Sequence, residues 1–164
     1  MHPGSSEMTA AGEGPWYAYN ATRQSFVNLD VTVADTWWSR FRGLMGKIRL
    51  RAAEGLWLVP SRAIHTFGLR SPVDVIYLDA ELRVVHLVEC LVPLRIGPLR
   101  LGCESVLALP WRSICESGTE IGDQFWICTP ETMGGYWNSG DRNDSRPNVT
   151  SISANRAGII APKH

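Results

Sequence analysis

Short apolar segments closed by turn residues constrain the fold of this chain more than any other feature. They are rich in β-branched and aromatic residues, and Pro, Gly or Asn residues separate them. Segments of this length and spacing favour the strands of a β-sandwich or barrel, so seven or eight strands are predicted. Seven of them cover residues 16–19, 26–33, 56–59, 73–78, 82–90, 105–109 and 124–128, and the eighth begins at His65. The strands on either side of residues 79–81 are expected to pair as a hairpin, and residues 92–102, with two prolines and two glycines, are expected to form a loop.

One segment, residues 36–45, has a helical period instead. Apolar side chains recur there at i, i+4, i+7 and i+8, a capping side chain precedes the segment, and a glycine follows it. Arg40 and Arg42 lie off the apolar face. They are either solvated charges or a clamp that binds a carboxylate, which belongs either to the protein itself or to a ligand. A second short helix is predicted within residues 111–117. The fold predicted is therefore mainly β, with one or two short helices packed on it.

The length of 164 residues suits one domain with a sizeable core and is too short for two. The apolar pattern is missing at both ends of the chain. We therefore expect a disordered leader at 1–14, a single β-rich domain at 15–130 and a flexible tail at 131–164.

Charge and cysteine spacing bear on partners, cofactors and compartment. The formal net charge is zero, which disfavours nucleic acid as a partner. No apolar run approaches the ~20 residues of a spanning helix and no signal-peptide pattern is visible, so the sequence predicts a cytoplasmic protein with no membrane partner. The four cysteines form no Cys-x-x-Cys pair, and we expect no metal or cofactor. A monomer is the expected state.

The stretch of residues 64–79 holds the candidate chemistry. His65, Thr66 and Asp74 lie within β-type apolar sequence, where a buried polar group without a partner costs roughly 1–3 kcal/mol. Each therefore has a purely structural interpretation, as a group bonded internally. The functional interpretation makes the three side chains the polar floor of a pocket, with Arg40 or Arg42 at its rim, that binds a small polar or anionic ligand.

Strand register decides whether His65 and Asp74 share a face of the sheet. If residues 65–69 and 73–77 form a tight hairpin through Pro72, the two side chains point to opposite sides. A slip of one residue places them on the same side, and the sequence permits both alternatives.

Four motifs resemble one known family in order and spacing. They are the run from Arg40 to Lys47, the Glu54-Gly55-Leu56 triplet, His65-Thr66-Phe67-Gly68, and the run from Pro72 to Asp79. The chain is similar from about Leu29 to Ile127 to the "domain of unknown function 192" family, a group of small, mostly prokaryotic proteins.

The resemblance implies a compact, mostly antiparallel β-sandwich or jelly-roll-like domain with one or two helices, and it implies no established activity. The chain departs from the family pattern at Leu69, Ala108 and Arg112. Relatives usually have methionine, glutamate and glycine at those positions. The missing glutamate weakens any site that the family builds with it.

The function predicted from these observations is a non-enzymatic domain that binds a small ligand or a protein partner. The alternative is an enzyme acting on a small polar or anionic substrate through His65, Asp74 and an arginine. No catalytic residue is assigned, because the chain contains neither a nucleophile elbow nor a glycine-rich phosphate loop.

Overall fold

The computed structural model describes residues 16–34, 50–52, 54–130 and 133–134. These residues form seven strands and one short helix, α1 (Ser113–Ser117). The strands are β1 (Trp16–Asn20), β2 (Ser25–Ala34), β3 (Glu54–Leu58), β4 (Val73–Leu78), β5 (Val84–Leu91), β6 (Ser105–Pro110) and β7 (Phe125–Cys128). Each coincides within a few residues with a strand predicted from the apolar segments.

The strands form one sheet in the order β5-β4-β6-β3-β2-β1-β7. β2 and β3 run parallel, and every other neighbouring pair is antiparallel. The mainly-β, mostly antiparallel fold expected from the sequence is therefore confirmed, as is the hairpin that joins β4 to β5.

The sheet curls until its two edge strands approach each other at one end, which gives a half-barrel. The turn before β5 meets the turn before β7 there, through an antiparallel bridge between Arg83 and Gln124. The Val84 amide donates to the Asp123 carbonyl at 2.9 Å, and the Phe125 amide donates to the Leu82 carbonyl at 2.9 Å. A single curled sheet fits the barrel alternative rather than the two-sheet sandwich.

Apolar side chains pack on both faces of the sheet. The inner cluster fills the concave side and includes Ile76, Leu78 and Leu107. The outer cluster covers the opposite face and includes Val75 and Tyr77. Because side chains alternate along a strand, a central strand buried on both faces reads as continuous apolar sequence. β4 shows this pattern, since all six of its residues are buried.

The supposed strand at residues 65–69 is absent from the sheet. β4 already has β5 and β6 as neighbours, which leaves no edge for a third partner. His65 instead forms an isolated antiparallel bridge with Ile96, in the long connection between β5 and β6. The tight hairpin considered from the sequence is therefore not formed.

Several predictions concern parts of the chain outside the described residues. These are the leader at 1–14, the helix at 36–45 with Arg40 and Arg42, and all of the tail except Met133 and Gly134. Met133 is buried in a small cluster with Tyr19 and Cys128.

Candidate functional site

Asp74 is fully buried and uses both carboxylate oxygens internally. One oxygen accepts the Cys90 amide at 3.0 Å, and the other accepts the Ile114 amide at 3.0 Å. Cys90 has a left-handed backbone (φ 55°) at an irregularity in the β4–β5 pairing, and Ile114 lies in the first turn of α1. The carboxylate therefore holds β5 and α1 to β4, which matches the structural interpretation of a carboxylate satisfied by amides.

Thr66 is also fully buried and internally bonded. Its hydroxyl donates to the Val92 carbonyl at 2.8 Å and accepts the Arg95 amide at 2.9 Å. Its backbone amide donates to the Arg95 carbonyl at 2.8 Å. Thr66 thus fastens the start of the β5–β6 connection to the segment before β4, and its hydroxyl is engaged in that contact.

His65 is half-buried beside Phe67, with ring centroids 5.4 Å apart. Its Nδ1 is buried and has no hydrogen-bond partner within the part of the chain that the structure describes. This imidazole is the one candidate side chain with an unsatisfied buried atom, among those that the structure describes.

His65 and Asp74 lie on opposite sides of the sheet. Ile64 packs in the outer cluster, and the segment that carries His65 crosses that face. Asp74 precedes Val75, an outer-cluster residue, and bonds to the amide of Ile114, an inner-cluster residue. His65 therefore lies on the outer side of the sheet, and the Asp74 carboxylate points to the inner side.

Ala108 is one of the positions at which the chain departs from the family pattern. It is fully buried in the outer cluster, directly between Leu56 of β3 and Val75 of β4. The family resemblance implies a glutamate at this position, and in this chain an alanine side chain fills it. Arg40 and Arg42 lie outside the described residues, and their part in a pocket stays a prediction.

A second polar group, missed by the sequence reasoning, joins Tyr77, His86 and Arg100. Tyr77 and His86 are directly opposite each other in β4 and β5, with ring centroids 5.4 Å apart. The Arg100 guanidinium donates to His86 Nε2 at 3.0 Å. Burial, together with the positive charge of Arg100, lowers the pKa of His86, which favours the neutral, accepting imidazole.

The Tyr77 hydroxyl is buried and has no hydrogen-bond partner among the described residues. Burial raises the pKa of Tyr77 to about 12, so the phenol stays protonated at neutral pH. The cross-strand pairing of Tyr77 and His86 could have been found from the predicted β4–β5 hairpin. The position of Arg100 could not, because it depends on the path of a long connection.

Among the described residues, the apolar side chains with the largest exposed fractions lie in the β5–β6 connection. We call five of them the loop surface. They are Val92, Leu94, Ile96, Leu99 and Leu101. The last four are 67%, 72%, 64% and 78% exposed, respectively.

The connection is nevertheless fixed to the domain by its backbone. The Gly97 amide donates to the Ile64 carbonyl at 2.7 Å, and the Arg100 amide donates to the Arg62 carbonyl at 3.0 Å. A Cβ added at Gly97 would lie 2.7 Å from the Tyr77 hydroxyl oxygen, so the connection lies directly on the outer face of β4.

Positive charge accompanies the loop surface. Residues 91–103 contain Arg95 and Arg100 and no Asp or Glu. Both arginines are exposed, as is Arg62, which pairs with Glu104 at 3.4 Å. The loop surface therefore combines apolar and basic groups.

The cysteines give no indication of a reactive or metal-binding site in the described part of the chain. Cys103 and Cys128 are buried, and burial raises the pKa of both thiols, that of Cys128 to about 11. Cys90 and Cys115 are exposed free thiols. Within residues 16–34, 50–52, 54–130 and 133–134, no three His, Cys, Asp or Glu side chains gather as possible metal ligands.

The described residues include no helix that is long and apolar enough to cross a membrane.

A family model matches residues 18–127, and that family is the domain of unknown function 192, described as "Uncharacterized ACR". A "UPF0127 protein" from Thermococcus sibiricus is 33% identical over 99 residues, which are 57% of this chain and 63% of that protein. The chain thus spans somewhat less than two thirds of the length of this relative.

Two solved structures share the fold. One is a protein of unknown function from Novosphingobium aromaticivorans, with a TM-score of 0.58 and 19% identity over 68% of this chain and 83% of the other. The second is a protein from Sinorhizobium meliloti proposed as a transcription regulator, with a TM-score of 0.55 and 18% identity over 68% of this chain and 91% of the other.

Proposed function

Because the chain belongs to the domain of unknown function 192 family, whose description names no activity, we propose a function from its own surface. The protein is a non-enzymatic binding module that attaches to a larger partner through the loop surface. The observation that carries this proposal is the exposure of four aliphatic side chains on one connection, accompanied by Arg95 and Arg100, with no Asp or Glu within residues 91–103.

Exposed aliphatic side chains have a physical meaning when they are contiguous. Single exposed apolar residues are normal on soluble proteins, but a continuous apolar surface is unfavourable in water and marks an interaction site. Residues 94–101 place Leu94, Ile96, Leu99 and Leu101 within eight positions, on a connection whose backbone is held in place. A surface that is already ordered loses little conformational entropy on binding, which favours affinity.

The enzyme alternative receives less support. A His–Asp pair needs the two side chains within hydrogen-bond reach, and here the sheet separates His65 from Asp74. The Asp74 carboxylate is also committed to two amides. A pocket made by His65 with Arg40 or Arg42 is the version of the enzyme hypothesis that stays open.

The Sinorhizobium meliloti protein raises nucleic acid as another partner. Nucleic-acid binding depends on many phosphate contacts and therefore on a basic surface without interruption. The formal net charge of this chain is zero, and aliphatic side chains separate the arginines of the loop surface. We therefore favour a partner that accepts both apolar and positively charged groups.

Site-specific photocrosslinking in the organism's own cells tests the proposal. A photoreactive amino acid at Leu101 should give adducts with a macromolecule, because that side chain is inserted into the partner. The same group at Ile121, which is 63% exposed on a turn outside the loop surface, is the matched control. Equal adduct yields at the two positions would refute the proposed function.

A further inference from the structure

We propose that the partner of the loop surface is an anionic lipid bilayer, on which the domain sits peripherally. This inference rests on the proposed function and adds the identity of the partner. Four side chains between Leu94 and Leu101 enter the boundary between headgroups and acyl chains, while Arg95 and Arg100 contact the lipid phosphates.

Charge is the first reason for choosing lipid. A bilayer with anionic headgroups attracts a protein segment that carries arginines and repels one that carries carboxylates. Residues 91–103 have two arginines and no acidic residue, although Asp and Glu together equal Lys and Arg in number over the whole chain, at 16 each. Glu89 and Glu104 flank this segment, and Glu104 is paired with Arg62 at 3.4 Å, so the positive charge is confined to the segment between the two carboxylates.

The backbone of the connection is the second reason. An amide that enters an apolar phase without a hydrogen bond costs several kcal/mol. Pro93 and Pro98 have no amide hydrogen, and the amides of Leu94, Arg95 and Gly97 donate to Thr66 or Ile64. Residues 93–95, 97 and 98 can thus approach the acyl chains without exposing unsatisfied donors.

The same observation argues against an extended acidic peptide as the partner. A peptide that adds to a backbone segment needs a row of free amides to pair with, and at residues 93–95, 97, 98 and 100 the amides are engaged or absent. A peptide held by side chains alone needs a groove, whereas the aliphatic side chains of Ile96 and Leu101 project outward with most of their surface exposed. A bilayer requires neither a groove nor free amides.

This proposal revises the sequence-based expectation of no membrane partner. That expectation rested on the absence of a spanning segment and of a signal-peptide pattern. Peripheral binding needs neither, because it depends on a local apolar surface with basic residues beside it.

Flotation of the purified full-length chain with vesicles tests the proposal. Vesicles of phosphatidylcholine mixed with an equal part of phosphatidylglycerol should bind the protein, and binding should weaken as salt screens the arginines. Ile96→Ser and Leu101→Ser should each lower the affinity about ten-fold through lost apolar contact. Arg95→Gln should lower it about five-fold, and only for the anionic vesicles.

Matched variants separate lipid binding from effects on folding. Ile121→Ser removes an isoleucine outside the loop surface that is 63% exposed, against 72% for Ile96, and Arg112→Gln removes an exposed arginine of the α1 turn. Both should bind vesicles as the unmodified protein does. If either weakens binding as much as its counterpart on the loop surface, the assignment of this surface to lipid is wrong.

The crosslinking experiment separates this inference from the proposed function. Adducts at Leu101 that extract with lipid support both, provided that the vesicles bind. Adducts with protein, together with no vesicle binding, would overturn the lipid proposal and leave the binding module intact. An absence of adducts beyond those of the Ile121 control would overturn both.

Discussion

At the scale of single residues, the Asp74 carboxylate is the polar group on which the most structure depends. It accepts amides from β5 and α1 from a fully buried position. Asp74→Asn replaces one acceptor by an NH2 group that faces an amide donor. We expect a loss of about 2 kcal/mol in the free energy of unfolding, measured by urea denaturation.

Asp79→Asn is the control for that substitution. Asp79 follows the same strand, and one of its carboxylate oxygens accepts the Glu81 amide at 3.0 Å and the Arg83 amide at 2.9 Å. An asparagine carbonyl can accept both amides, and the turn is exposed, so the expected loss is below about 1 kcal/mol. Equal losses for the two variants would contradict the role assigned to Asp74.

Asp123 gives the stability a dependence on acid pH. Burial alone would raise the pKa of Asp123, but the Asn20 amide, the Glu120 backbone amide and the Arg23 guanidinium donate to it and lower the pKa overall. The unfolded state therefore binds a proton first as the pH falls. The stabilisation is complete above the ordinary carboxyl pKa of about 3.9 and is lost as the pH falls through the lower folded value.

Asp123→Asn tests this linkage through melting temperatures measured between neutral pH and acid. The variant should be less stable at neutral pH, and its melting temperature should fall less on acidification than that of the unmodified protein. Parallel curves for the two proteins would show that Asp123 does not contribute to the acid dependence.

The candidate residues also show where sequence reasoning ends. Alternation along a strand places neighbours such as Asp74 and Val75 on opposite faces of the sheet, and the contacts of the two residues agree with this. The segment that carries His65 could not be placed, because it is no strand of the sheet and pairs with Ile96, thirty-one positions further along. Pairing over that distance depends on the path of a connection, which local propensity does not encode.

At the scale of elements, the β5–β6 connection is defined by one close approach. Gly97 lies above Tyr77, where an added Cβ would be 2.7 Å from the hydroxyl oxygen and 3.0 Å from Ile64 Cγ2. Gly97→Ala should therefore cost about 1–3 kcal/mol through overpacking, measured by denaturant unfolding. Gly102→Ala, in the same connection, should be close to neutral because no atom lies within 4 Å of its added Cβ.

Tyr77→Phe provides a second measurement at the same contact. The Tyr77 hydroxyl is buried without a partner among the described residues, so its removal should leave stability unchanged or raise it. In the double variant with Gly97→Ala, the removed oxygen frees space for the new methyl group. The double variant should therefore lose less free energy of unfolding than the sum of the losses of the two single variants. If the two losses simply add, the overpacking in Gly97→Ala does not arise from contact with the Tyr77 hydroxyl.

The strands were predictable and the connection was not, for related reasons. Strands such as β4 and β6 consist of continuous apolar residues, and burial on both faces makes that pattern unambiguous. Prolines and glycines correctly marked residues 92–102 as a loop. Which of its leucines face solvent depends on contacts such as Gly97 with Tyr77, and those arise only once the sheet has formed.

At the scale of the whole molecule, the curl of the sheet depends on the meeting of its two edges. The Gln124 side chain lies at this junction and donates to the Glu81 carbonyl at 2.7 Å and to the Phe125 carbonyl at 3.1 Å. Gln124→Ala removes both bonds and should cost about 1 kcal/mol of stability. Glu81→Ala leaves the accepting carbonyl in place, so it should have little effect.

Hydrogen exchange distinguishes a local opening of this junction from general destabilisation. In Gln124→Ala, the amides of Val84 and Phe125 should exchange faster, because they bond across the two edges. The amide of Val75, in the middle of the sheet, should change only by the loss in global stability. If all three amides changed equally, the edges would open only with the whole sheet, and the closed half-barrel would be one cooperative unit.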